Sequence, residues 1–386
     1  VPIANNSRFV GLQNKRPVRI TLVTPSLACG GAERCVTLLT RGFLARGHNV
    51  TVINLYNEDT DFYSLPEGAQ RMALGIDRVS PTLLHGLVNN LQRLRILRRA
   101  IKTSRPQVVI SHLYQTNVMT ILAIGRTGIP VIAVEHNDPA MNPAGRIWDT
   151  LRHKTYPSAR QLVSVSRGVD QQFSWLPQER RTVIHNPLEL PEGEPTAGGG
   201  LEPSPAIGHW ITSMGRLTEQ KGFDLLLQAF AQIALDHPDW GLLIIGEGEL
   251  RDELEQLVVR LGLRERVTFA GRLANPFFAL RNSDLFVMAS RFEGFPYAAL
   301  EALASGLPVI YTDCPSGPGE IIREGIDGLL VPNGDLTALA AAMDRLMSDD
   351  QERAQLAARA PEVLDRFGTK KIITQWEDLF AGLVAG

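Results

Sequence analysis

Leu285-Phe-Val-Met-Ala-Ser-Arg-Phe-Glu-Gly-Phe-Pro-Tyr-Ala-Ala-Leu-Glu301 reads as one strand, one loop and the start of one helix. Leu285 to Ala289 is a short, fully apolar run, the mark of a strand buried on both faces of a parallel sheet. Pro296 suits the first position of the following helix, where its missing N–H removes no hydrogen bond. Glu293 then lies in the strand-to-helix loop, and Glu301, eight positions on, lies about a turn and a half into the helix. Both carboxylates can face a ligand beyond the C-terminal end of the strand, where open α/β sheets place their sites. Carboxylates accept paired hydrogen bonds from neighbouring hydroxyls, which suits a sugar ring and a ribose together. A solvated helix start would also tolerate a glutamate, since acids favour helix N-termini.

The same alternation extends in both directions. Strand-like runs fall at 19–24, 50–55, 108–112, 131–136, 162–166 and 183–185, and again at 209–214, 241–246, 267–270, 285–289, 308–312 and 329–331. Helical patterns lie between them, at 32–47, 117–126, 222–236, 249–261, 276–283, 297–305, 336–347 and 351–364. This is an α/β chain with parallel sheets covered on both faces. At 386 residues it exceeds one ordinary core, so two doubly wound domains are expected. The boundaries are a loose arm at 1–16, a first domain at 17–187, a linker rich in Pro, Gly and Glu at 188–206, a second domain at 207–368, and a terminal helix within 369–386 that is free to pack back on the first domain.

The net charge of −2 conceals an asymmetry: residues 1–186 hold 23 Lys and Arg against 11 Asp and Glu, and residues 187–386 hold 16 against 30. The basic half is expected to meet something anionic. Its densest part is a helix over 83–105, on which Arg95, Arg98, Arg99 and Lys102 form a stripe opposite Leu87, Leu91, Leu94, Leu97 and Ile101. A solvated face is the plain alternative to a patch for anionic lipid or a diphosphate. Nucleic acid ranks third and is not expected as a partner, because no aromatic residues interleave with these charges. No stretch of 18 apolar residues and no signal-peptide core appear, which argues for a cytoplasmic protein, with peripheral attachment to a membrane left open. Cys29, Cys35 and Cys314 show neither pairing nor metal spacing.

Three further stretches carry chemistry. Pro25-Ser-Leu-Ala-Cys-Gly-Gly-Ala-Glu33 follows the first strand and opens a helix, so Gly30 and Gly31 leave backbone N–H groups free for a phosphate or a sugar. A tight turn without a ligand is the bland reading. Gly215-Arg-Leu-Thr-Glu-Gln-Lys-Gly222 follows the first strand of the second domain, and Arg216 with Lys221 could hold a diphosphate without a metal. Glu135-His136-Asn-Asp138 ends a first-domain strand toward the same cleft, where His136 could bond a donor sugar or shape an acceptor pocket. Asp59-Thr-Asp61 has the pattern of a divalent-cation site but falls in a polar loop and reads as mainly solvated.

In order, these motifs resemble family 4 of the retaining glycosyltransferases. The matching residues are Gly30-Gly31-Ala32-Glu33, His136-Asn137, Ser164-Val-Ser166, Asn186-Pro187, Gly215-Arg216-Leu217 with Lys221-Gly222, Gly246-Glu-Gly248, Gly271-Arg272, Ser290 with Glu293 to Glu301, and Gly306-x-Pro308-Val309. The resemblance implies the GT-B architecture, two facing Rossmann-like domains with an interdomain cleft. It implies that Glu293, Gly294, Phe295 and Pro296 meet the donor sugar, Glu301 the ribose, Arg216 and Lys221 the diphosphate, and Gly271 and Arg272 the base. Gly30 and Gly31 would line the diphosphate and acceptor side, and His136 would lie near the donor sugar. Glu293, His136, Arg216 and Lys221 are then the catalytic set, and no cofactor or metal is expected. The loop Thr312-Asp-Cys-Pro-Ser-Gly-Pro-Gly-Glu320 resembles enzymes that extend polyprenyl-diphosphate-linked glycans, although Gly319 stands where those enzymes often have Arg.

The implied reaction moves a hexose or N-acetylhexosamine from a UDP-sugar to such a lipid-linked glycan. Two other classes share the architecture: UDP-sugar 2-epimerases, which generally lack the arrangement of Glu293 and Glu301, and non-catalytic two-domain binding proteins. An NAD-dependent enzyme would need a third glycine that Gly246-Glu-Gly248-Glu-Leu-Arg251 lacks.

Overall fold

The computed structural model describes residues 16–76, 83–125, 127–143, 145–191 and 207–384. The arm at 1–15 and most of the linker, 192–206, lie outside the described residues. The chain forms two parallel sheets. In the first domain the strands are β1 (Arg19–Thr24), β2 (Asn49–Asn54), β3 (Gln70–Ala73), β4 (Val108–His112), β5 (Val131–Glu135), β6 (Gln161–Ser164) and β7 (Arg181–Val183), in the order β3-β2-β1-β4-β5-β6-β7. In the second they are β8 (His209–Met214), β9 (Trp240–Ile245), β10 (Val267–Gly271), β11 (Leu285–Met288), β12 (Val309–Asp313) and β13 (Gly328–Pro332), ordered β10-β9-β8-β11-β12-β13. The central strands β1, β4, β5, β8, β9, β11 and β12 are largely buried and rich in apolar residues, with small polar ones such as Thr212 and Ser213 among them, because helices cover both faces of each sheet.

The strand order reverses between β1 and β4 in one sheet and between β8 and β11 in the other. Crevices open at such reversals, beyond the C-terminal ends of the strands. The loops after β1, β8 and β11 are the three glycine-containing motifs singled out above. The fold therefore sets Gly30–Gly31, Arg216–Lys221 and Glu293 at two facing crevices.

Several expectations need correction. Strand β3 was not anticipated: Gln-Arg-Met-Ala carries no apolar run, and its residues are at best half-buried at the sheet edge. Nor was the helix Arg146–Thr155, which is mostly polar and buries only Arg152 and Thr155. The last strand of the first domain runs 181–183 rather than 183–185. The single helix expected over 351–364 is broken into Asp350–Arg359 and Val363–Phe367 by a tight turn containing Pro361, which has no N–H to continue the ladder. Pro296 precedes the helix as its N-cap in extended conformation, and Tyr297 is the first helical residue. On the helix Leu83–Ser104, Leu97 and Ile101 are buried as the periodicity requires, but Leu91 is 55% exposed.

The terminal helix Thr369–Val384 lies on the helix Gly31–Ala45 of the first domain. Phe43 packs against Trp376 and Phe380, and His48 bonds Glu377 at 3.2 Å within this buried contact. At its start the helix is tied to the chain just before the linker, Leu188 N–H donating to Phe367 and Thr369 N–H to Leu188. Among the described residues no helix is long and apolar enough to cross a membrane.

Candidate functional site

Glu293 is 5% exposed, yet one of its oxygens accepts three hydrogen bonds: from Lys221 Nζ at 2.6 Å, Ser290 Oγ at 2.7 Å and Tyr311 Oη at 2.8 Å. These donors come from the turn after β8, the end of β11 and β12. The turn reaches Glu293 because Gly222 is left-handed (φ 64°) and presses on β11, where a Cβ would stand 1.9 Å from the Ala289 carbonyl oxygen. Lys221 and Glu293 thus form one buried pair, so the ammonium expected on a diphosphate already has a carboxylate partner. Arg216 is exposed. With Arg272 it faces the first domain across a cavity of about 620 Å³, whose other wall is Ala28, Cys29, Gly30, Glu33, Asp59, Asp61 and Phe62. Asp59 and Asp61 are therefore cleft residues rather than simply solvated ones, and Asp61 is paired with Arg71.

Glu301 is 3% exposed and its partner comes from the opposite domain: Arg34 Nη2 stands 2.5 Å from its carboxylate. Burial raises the Glu301 pKa, and the Arg34 guanidinium opposes that rise. Gly30 is the extended N-cap of the helix that carries Arg34, and Gly31 abuts the Tyr297 ring. Gly294 meets the first domain even more closely, since a Cβ there would lie 1.8 Å from the His136 carbonyl oxygen. Phe295 is buried against His185 and Phe367, and its carbonyl accepts from Asn186 at 3.3 Å. Gly271 closes β10 beside Glu247.

His136 approaches the cleft through its backbone. Its ring turns inward, Nε2 lying 3.0 Å from Nδ1 of His112 at the end of β4. Burial drives the His136 pKa down to about 3 and holds that of His112 well below its ordinary value, so the pair is neutral. Cys35 adjoins them, and the three side chains offer metal-ligand atoms within 4.8 Å of one another. Tetrahedral zinc would draw such atoms to roughly 3.3–3.7 Å, given metal–ligand bonds of about 2.0–2.3 Å. The imidazoles bond each other instead, and burial pushes the Cys35 thiol up to about 12.

A second cross-domain contact lies beside the hinge. Glu320 accepts from the backbone N–H of Arg167 (2.7 Å) and Gly168 (3.3 Å), and its other oxygen contacts His185 Nε2 at 3.1 Å. Ser316 Oγ bonds Asp138 at 3.2 Å nearby. Sequence reasoning missed Arg34, Tyr311, His112 and His185. Of these only Arg34 carries a signal, its place directly after Gly30-Gly31-Ala32-Glu33.

The basic stripe is remote from this cleft. Its helix feeds β4 at the N-terminal edge of the sheet, and Arg19, at the start of β1, donates to the Arg105 carbonyl there. Arg95, Arg98, Arg99, Lys102, Thr103 and Arg105 line a groove of about 520 Å³.

Two facing parallel-sheet domains with their crevices opposed define the GT-B class of proteins, and solved GT-B structures superpose on the chain throughout. The Anabaena protein HepE, solved with UDP and glucose, matches with a TM-score of 0.75 at 19% identity, over 95% of this chain and 100% of that one. The profile described as "Glycosyltransferase Family 4" matches residues 29–191 and that of "Glycosyl transferases group 1" residues 208–363. The chain is thus a glycosyltransferase whose first domain matches the Family 4 model and whose second matches the group 1 model. Among curated relatives, the Campylobacter jejuni protein named "GalNAc-alpha-(1->4)-GalNAc-alpha-(1->3)-diNAcBac-PP-undecaprenol alpha-1,4-N-acetyl-D-galactosaminyltransferase" is 28% identical over 94% of this chain and 98% of its own. An exopolysaccharide phosphotransferase of Streptomyces coelicolor is 36% identical over 59% of this chain, which spans only 24% of that longer protein.

Proposed function

We propose that the chain transfers a hexose or N-acetylhexosamine from a UDP-sugar to a glycan carried on a polyprenyl diphosphate, with retention at the anomeric carbon and no metal ion in the chemistry. The observation that carries this reading is the pair of buried carboxylates, Glu293 and Glu301, at one crevice, facing the Gly30–Gly31 turn with Arg216 and Arg272 beside it. Glu293, fixed by three donors, is a hydroxyl-orienting group rather than a nucleophile. Its bound oxygen is saturated, leaving the other to accept from the donor sugar. The Glu301 carboxylate accepts from the ribose. The C1–phosphate bond breaks, the acceptor hydroxyl bonds to C1 on the same face, and its proton passes to the departing phosphate oxygen. Arg216 and the helix N-terminus at Gly30–Gly31 offset the charge that grows on the diphosphate. The name of the full-length Campylobacter relative supports a lipid-linked acceptor. The basic groove at 95–105 suits the anionic surface at which such an acceptor is embedded.

The test is thermal stabilisation with EDTA present against UDP, GDP, ADP and NAD, followed by hydrolysis of the matching nucleotide sugars. A ligand at 100 times its dissociation constant adds ~2.7 kcal/mol. Stabilisation by UDP is expected. No shift with any nucleoside diphosphate, or a shift with NAD alone, would overturn the reading.

A further inference from the structure

Arg34 belongs to the first domain, yet its guanidinium is enclosed largely by the second. It pairs with Glu301 at 2.5 Å and lies 5.6 Å from the ring centre of Tyr297 and 5.8 Å from that of Phe277. From its own domain it has Tyr63, which hydrogen-bonds it. The side chains of Arg34 and Glu301 are only 19% and 4% exposed. A guanidinium and a carboxylate both removed from water are each costly alone, and they reach each other only when the cleft is shut.

We infer that Arg34 is a positioning residue that couples domain closure to donor capture: it holds the Glu301 carboxylate charged and oriented inside the closed cleft, where the ribose hydroxyls share it. The inference rests on the donor reading above. In the open protein, water solvates both groups. On closure, burial removes that water from Glu301, and without Arg34 the acid would be left as an unpaired buried charge or take up a proton. A protonated carboxyl offers the ribose a weaker acceptor. One carboxylate has lone pairs enough for Arg34 on one oxygen and a diol on the other. Arg34 therefore completes the ribose site rather than blocking it, and it ties the ribose site to the closed arrangement of the domains.

The experiment measures UDP affinity by calorimetry and UDP-induced compaction by small-angle X-ray scattering on the full chain, for wild type, Arg34→Met, Arg34→Lys, Glu301→Gln and the Arg34→Met/Glu301→Gln double variant. Arg34→Met should weaken UDP binding by at least about tenfold, the loss expected on truncating one partner of a buried charge pair, and abolish compaction at saturating UDP. Arg34→Lys should recover part of both. In the Glu301→Gln background, Arg34→Met should add little further loss. A merely structural arginine would lower the melting temperature but leave compaction intact and show additive losses, and that result overturns the inference. If wild type itself fails to bind UDP, the donor reading has failed instead. If wild type binds and closes while Arg34→Met behaves the same, only the role of Arg34 has failed.

Discussion

Gly294 and the His136 carbonyl meet backbone to backbone across the cleft, and neither can yield by turning a side chain. A Cβ at 294 would stand 1.8 Å from that oxygen, so Gly294→Ala must hold the domains apart. A misplacement of the order of 1 Å can cost about 10²-fold in rate, and turnover should fall at least that far while each domain still unfolds at its usual temperature. Preserved turnover would show that closure to this contact is not needed. Glu293→Gln tests the neighbouring residue differently: it keeps the volume but removes the charge opposite Lys221 and one acceptor for the sugar. Turnover should drop by roughly 10²–10³, the cost of losing one preorganised electrostatic contact at a reacting centre, with circular dichroism unchanged. Activity near wild type would remove Glu293 from the site. The place of Glu293 in the strand-to-helix loop after β11 was legible in the sequence, whereas its burial was not, since a solvated glutamate suits the same loop. Arg34 was missed although it directly follows Gly30-Gly31-Ala32-Glu33, since its partner Glu301 lies in another domain and the motif does not tell a cross-domain arginine from a solvated one.

At the scale of elements, the short helix Pro318–Ile321 clasps the first domain through Glu320, which meets Arg167, Gly168 and His185. Burial pushes the Glu320 pKa up, but bonds from His185 and from the backbone N–H groups of Gly168 and Arg167 outweigh it and hold the value below the ordinary one. An acid lowered in the fold contributes stability that is present above its unfolded pKa and lost as pH falls through the folded value. Glu320→Gln should therefore cost on the order of 1 kcal/mol at pH 7, as expected for losing charge-assisted bonds. The gap between variant and wild type in urea unfolding should shrink steadily as pH falls below the ordinary carboxylate value, and a gap that does not narrow would refute the assignment. The basic helix makes a separate prediction. Arg95→Glu with Arg99→Glu should reduce cosedimentation with phosphatidylglycerol vesicles by tenfold or more, at about 1 kcal/mol for each basic residue near an anionic surface, and leave UDP binding unchanged. Equal cosedimentation would make this stripe a solvated face. Such elements were readable in proportion to their apolar periodicity. The central strands and Leu97–Ile101 followed it, whereas β3 and the helix Arg146–Thr155 are polar edge pieces that the periodicity does not mark, and Leu91 falls on the apolar side of the wheel yet is 55% exposed.

For the molecule as a whole, the first domain buries polar groups beside its crevice whose charge states respond to pH in opposite directions. His112 and His136 are neutral in the fold and charged when unfolded below about pH 6.5. Down to about pH 3 the unfolded chain binds protons that the native chain refuses at His136, so these groups make stability fall with falling pH. The adjacent Glu135 acts against them. Burial lifts its pKa to about 7, against the pull of Arg152, Tyr156 and Asn117, so between its ordinary value near 4.5 and 7 the native chain holds a proton that the unfolded chain has lost. That contribution makes stability rise as pH falls over the same range. Between pH 6.5 and 5 these three groups together contribute a loss of stability with a slope of about one proton, two histidines opposed by one acid, where each proton is worth about 1.4 kcal/mol per pH unit, and the raised carboxyls of Glu33 and Glu301 oppose it further. Glu135→Gln removes one opposing acid, and its slope should be steeper than that of the wild type by about one proton. Urea unfolding followed by tryptophan fluorescence at half-unit pH steps measures both slopes. Parallel curves for the two proteins would mean that Glu135 is charged in the fold, and that Arg152 and Tyr156 compensate its burial more fully than the geometry implies.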